Sequence, residues 1–163
     1  MPRPGRWSTW RRRLDRTSAP ARAACPECKT LSRKIQRRTV EHLLQPGRSA
    51  ALREVQYYFC REPACRVVYF SNEENAPFFT TDEVTVKVFA KEQGEDVPVC
   101  YCFNWTGARI KQEIRATGES TAAVDIARQI KAGNCACDLK NPKGECCLGD
   151  VRALVRELSA VMP

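Results

Sequence analysis

The spacing of apolar residues changes character near residue 90. Upstream it is extended: Tyr57, Tyr58 and Phe59 run into Cys60, Val67 to Phe70 leave Cys65, and Val84, Val86 and Val88 alternate with Thr85, Lys87 and Phe89. Aromatic and β-branched side chains suit a pleated, half-buried surface, so residues 25–91 are predicted to form a small β-rich module. Residues 92–98, with Gly94 and few apolar side chains, read as a linker. Beyond it the period is helical. Thr106 is placed to cap a helix carrying Ile110 and Ile114 and ended by Gly118, and Ser120 to cap a second that presents Val124, Ala127 and Ile130 before Gly133. A last helix is expected to begin near Cys147, with Leu148, Val151, Leu154, Val155 and Leu158 on one face and Asp150 in a first turn whose macrodipole favours an acid. The expected fold class is therefore α+β, a β-rich module followed by a small helical module over residues 99–163.

Charge alters this picture mainly at the start of the chain. Residues 1–24 hold Arg3, Arg6, Arg11, Arg12, Arg13, Arg16 and Arg22 against Asp15 alone, so most of the formal net charge of +8 sits there. With Pro2, Pro4 and Pro20 and little apolar periodicity, this segment is expected to be a disordered basic arm. The rest is nearly neutral, and bound metal thiolates would make it mildly acidic, which disfavours nucleic acid as a partner. No apolar run approaches the roughly 18 residues of a membrane span.

The ten cysteines fall into two unlike sets. In the first, Cys25-Pro26-Glu27-Cys28 forms a tight knuckle and Cys60 and Cys65 supply an opposing pair from a hairpin, the arrangement of a closed tetrahedral zinc site. Four thiolates leave no position for water, so such a zinc folds a module rather than catalysing a reaction. In the second set only Tyr101 separates Cys100 from Cys102, and the return thiols come from Cys135, Cys137, Cys146 and Cys147, the last two at a helix start whose free N–H groups favour thiolate and cluster sulfur. Spacing alone leaves an iron-sulfur cluster and a second zinc both open here. A disulfide framework is disfavoured, because 163 residues suffice for an ordinary core and the start of the chain lacks an export-signal pattern. The expected setting is reducing and cytoplasmic. His42 is the sole histidine, so no Ser-His-Asp or Cys-His nucleophile system can be assembled and hydrolase chemistry drops out.

These residues carry a family resemblance. Val99-Cys100-Tyr101-Cys102, the Thr106-led helix, and Cys137 followed by Asn141-Pro142, Gly144 and Cys146-Cys147 resemble the bacterioferritin-associated-ferredoxin-like 2Fe-2S fold. More closely, Cys25-Pro26-Glu27-Cys28, Tyr58-Phe59-Cys60 and Cys65 to Phe70 resemble the N-terminal domain of the iron-sulfur type of copper chaperone CopZ, over about residues 25–158. The resemblance implies zinc on Cys25, Cys28, Cys60 and Cys65 and a 2Fe-2S cluster on Cys100, Cys102, Cys137 and Cys147. Cys135 and Cys146 would be spare, although Cys135 could replace Cys137 after a small loop shift and the adjacent Cys146 and Cys147 could exchange. It also implies a one-electron role in metal homeostasis, including reduction of Cu(II) to Cu(I), with transiently bound copper.

The Met-x-Cys-x-x-Cys loop of the family's copper-carrying domain is not found in this sequence, which has methionine only at Met1 and Met162. The expected partners are accordingly a redox protein and a separate copper-carrying domain or transporter. The competing expectation is a non-redox zinc adaptor that touches nucleic acid through the basic arm.

Overall fold

The computed structural model describes residues 19–92 and 94–162, and the expected arm over residues 1–18 lies outside them. Its first half is a five-stranded antiparallel meander of β1 (Arg22–Ala24), β2 (Leu31–Ile35), β3 (Tyr57–Phe59), β4 (Val67–Phe70) and β5 (Phe79–Thr80), in that spatial order. Among the described residues, β1 lies slightly ahead of the first cysteine. Alternation along β3 sorts the sheet into two faces. Tyr58 joins Cys25, Cys60, Cys65, Val67 and Phe70 on one side, while Tyr57 and Phe59 join Ile35, Val40, Tyr69 and Phe79 on the other. Cross-strand ring pairs fix the register: Tyr58 stacks on Phe70 at 5.6 Å, and Phe59 meets Tyr69 at 6.1 Å.

The second face is covered by α1 (Arg37–Leu43), a helix that the apolar pattern did not announce. Its signals are absent or inverted. Gln36 makes no side-chain cap, and Arg37 and Arg38 occupy a first turn where the macrodipole prefers acids. Residues 84–89 depart from the expected strand for a related reason. Thr85 N–H and Thr85 Oγ1 both reach the Leu43 carbonyl, at 2.8 and 3.1 Å, so this segment satisfies the end of α1 instead of extending the sheet. Only the isolated bridge between Leu44 and Val84 remains, and Val84 and Val88 are buried in the core beneath α1.

The second half pairs β6 (Pro98–Cys100) with β7 (Trp105–Thr106) and then runs through α2 (Gly107–Thr117), α3 (Ala122–Lys131), α4 (Cys137–Lys140) and α5 (Leu148–Val161). Thr106 caps α2 as expected, accepting from Arg109 N–H at 3.2 Å, and Gly118 closes it at φ 82. The N-cap of α3 is Thr121 instead of Ser120, and its inward face is Ala122 and Ile126 with Ile130. Val124, expected on that face, is 73% exposed. The true stripe follows i, i+4 steps from Ala122, and Ile130 is common to both readings.

The two halves meet over the loop between Cys137 and Cys147. Thr39 Oγ1 on α1 donates to the Asp138 carbonyl at 2.5 Å, and the buried Tyr69 hydroxyl donates to the Pro142 carbonyl at 2.8 Å. Arg38 pairs with Asp138 at 2.6 Å. Gly144, at φ +67, lets the chain approach so closely that a Cβ there would stand 3.2 Å from Ile35 Cγ1 and 3.4 Å from Thr39 Oγ1.

Candidate metal centres

The turn from β1 to β2 builds the first knuckle. Pro26 restricts the backbone after Cys25, Lys29 takes the left-handed conformation (φ 61), and Cys25 N–H bonds the Thr30 carbonyl at 3.0 Å. The turn from β3 to β4 builds the second, with Cys60 N–H on the Val68 carbonyl and Cys65 N–H on the Glu62 carbonyl. Arg66 clasps Glu27 across the two turns at 2.9 Å. All four sulfurs of Cys25, Cys28, Cys60 and Cys65 lie within 4.8 Å of one another, with Cys25–Cys65 at 3.8 Å and Cys28–Cys60 at 3.6 Å. Zinc–sulfur bonds of about 2.3 Å place tetrahedral sulfurs about 3.8 Å apart, so the donor set fits zinc without rearrangement.

The electrostatics agree with that fit. Burial pushes the Cys60 and Cys65 thiols up. At Cys28 burial acts in the same direction but is outweighed by hydrogen bonds from Thr30, which bring it down to about 6. Three of the four thiols are buried, and a dication supplies the charge that several thiolates there would need. Lys91, the last residue of the expected β-rich module, adds a positive charge by donating to the Glu62 and Cys65 carbonyls at 2.9 and 2.8 Å.

The second set is drawn together from four elements. Cys100 ends β6, Cys102 lies in the turn to β7, Cys137 opens α4, and Cys147 is the N-cap of α5. Cys102 and Cys137 sulfurs are 3.7 Å apart. The neighbouring Cys147 thiol holds Cys100 and Cys137 down to about 7 and about 5, and is itself pushed up by those two neighbours. Burial pushes Cys102 up to about 12 even though the Ala136 N–H points at its sulfur from 3.3 Å. Cys135 joins this group as well. Its sulfur is 3.3 Å from that of Cys137, and Cys102, Cys135 and Cys137 lie mutually within 4.8 Å. Cys146 is exposed.

Thiols gathered from four elements suit a group of soft metal ions. Trp105, the Cα partner of Cys100 across the hairpin, is 3% exposed, and its indole N–H has no acceptor among the described residues. Lys91, Thr39 and the Tyr69 hydroxyl carried no functional signal in the sequence, because each acts on residues far away along the chain.

Comparison with known proteins places these centres in context. A family described as a zinc binding domain, of the CopZ type, matches residues 22–85. The copper chaperone CopZ of Archaeoglobus fulgidus is 33% identical over 123 residues, which are 76% of this chain and 57% of that protein. The chain therefore spans little more than half the length of this relative. The X-ray structure of the Archaeoglobus fulgidus CopZ N-terminal domain superimposes with a TM-score of 0.65 at 31% identity, covering 80% of this chain and 95% of that one.

Proposed function

Since the chain carries a CopZ-like zinc-binding domain and is homologous to the N-terminal domain of Archaeoglobus CopZ, we propose that it is a zinc and iron-sulfur protein that moves single electrons in copper trafficking. Zinc on Cys25, Cys28, Cys60 and Cys65 holds the sheet. A 2Fe-2S cluster on Cys100, Cys102, Cys137 and Cys147 supplies the redox chemistry. One reduced cluster gives one electron to one Cu(II) and leaves Cu(I), the form that soft thiolate carriers accept. The partners on this reading are an electron donor and a copper-carrying domain or transporter. Among the described residues no helix is long and apolar enough to cross a membrane.

The observation that carries the proposal is the coexistence of two unlike thiol sets, one spaced for a single tetrahedral ion and the other fed by four elements and ending at the start of α5. Anaerobic purification without chelator, followed by metal and sulfide analysis, tests it. About one zinc, two irons and two acid-labile sulfides per chain are expected. Two zincs without iron would overturn the redox reading and leave a zinc adaptor. Mixing the dithionite-reduced protein with Cu(II) under argon should then restore the oxidised spectrum in step with Cu(I) formation. A spectrum indifferent to Cu(II) would remove copper from the proposal.

A further inference from the structure

Resting on the reading of the second centre as a 2Fe-2S site, we propose that Cys135 is a reserve ligand, sharing with Cys137 one iron position beside Cys102. With Cys135, five thiols are on offer to a centre that needs four, and the three of them that lie mutually within 4.8 Å are Cys102, Cys135 and Cys137. The Cys135 and Cys137 sulfurs, 3.3 Å apart, are closer than the roughly 3.8 Å between two thiolates on one tetrahedral ion, so they are alternatives and not simultaneous ligands. Either can serve with Cys102, because all three sulfurs lie within 4.8 Å of each other. The segment between them is held at its midpoint, where Ala136 N–H donates to Cys102 Sγ. Cys137 belongs to the first turn of α4, whereas Cys135 precedes the helix, two residues after Gly133 at φ 77.

The exchange is a ligand substitution with no change of oxidation state. The Cys135 thiol releases its proton to solvent as its sulfur bonds iron. The iron–sulfur bond to Cys137 breaks, and that sulfur takes up a proton. Cys147 has no such stand-in, although Cys146 is adjacent in sequence. Cys146 is exposed, while Cys147 is 1% exposed and caps α5. Spatial grouping and sequence adjacency therefore make opposite statements about which spare thiol can substitute.

Anaerobic reconstitution of the full chain with ferrous iron and sulfide distinguishes them, read by iron and sulfide content and visible circular dichroism, with zinc content and far-ultraviolet dichroism reporting the fold. The unchanged chain and Cys135→Ala should hold about two irons with the same visible spectrum. Cys137→Ala should also hold about two irons with an altered spectrum, while Cys135→Ala/Cys137→Ala and Cys147→Ala should hold essentially none. A folded Cys137→Ala without iron, or a double variant that retains as much iron as Cys137→Ala, would overturn the proposal. If the alanine variant does not fold, Cys137→Ser takes its place, and adding Cys135→Ala to it must change its spectrum or iron content for the proposal to stand. Failure of the underlying reading is separate, because the unchanged chain would then take up no iron and sulfide at all.

Discussion

The Tyr69 side chain shows how one residue ties distant parts of this molecule together. Its ring sits against Phe59 in the sheet core, and its hydroxyl, wholly buried, donates to the Pro142 carbonyl. Burial raises the pKa of this phenol above its ordinary value, so it is a donor at neutral pH. Tyr69→Phe keeps the ring but leaves the carbonyl without its donor, which should lower stability by about 1–3 kcal/mol in denaturant unfolding while zinc content is unchanged. A loss of a few tenths or less would show that water replaces the hydroxyl. The difference between such residues and the cysteines explains what could be read in advance. Cys25-Pro26-Glu27-Cys28 announces its chemistry within four positions, because the turn that aims both sulfurs is local. The hydroxyl of Tyr69 acquires meaning only when the chain has brought together residues far apart. No local pattern encodes that.

At the scale of elements, legibility followed the capping chemistry. The bounds of α2 were visible in Thr106 and Gly118, whereas α1, without a cap or an acidic first turn, was hidden, and residues 84–89 imitated a strand while serving the end of α1. The turn from α2 to α3 is held by a carboxylate from the preceding helix. Glu113 accepts from Ser120 Oγ at 2.8 Å and from Thr121 N–H and Oγ1 at 2.9 and 2.6 Å. Burial tends to raise its pKa, but these donors win and hold it below 4.5. A depressed carboxylate pKa means that its contribution is present above the unfolded-state value and is lost as pH falls through the folded one. Glu113→Ala should therefore cost about 0.5–2 kcal/mol at neutral pH, with the gap between variant and parent narrowing as pH drops below 4.5. A gap that stayed constant across paired urea titrations would mean that the ionised carboxylate is not what holds the turn.

For the molecule as a whole, the chain on either side of residues 92–98 is tied down. Lys91 reaches the Glu62 and Cys65 carbonyls, and the Tyr101 hydroxyl accepts from Phe89 N–H and donates to the Lys87 carbonyl. Two modules were expected because the cysteine sets and the apolar period both change between them. Their docking was not, since it runs through Thr39, Gly144 and the Pro142 carbonyl. That docking also has a direction in time. The bonds from Thr39 to Asp138 and from Tyr69 to Pro142 close loops of 99 and 73 residues, and both start from parts of the first module that translation delivers first. On that path the segment bearing Cys137 and Cys147 is seated on a sheet that forms first, and under the proposed zinc assignment that sheet forms with its metal. Zinc should be the earlier metal to load. Given iron and sulfide together, a zinc-depleted or Cys28→Ser chain should mature its second centre several-fold more slowly than the zinc-loaded chain, followed by the growth of visible absorbance; equal rates would show that the two metals are acquired independently.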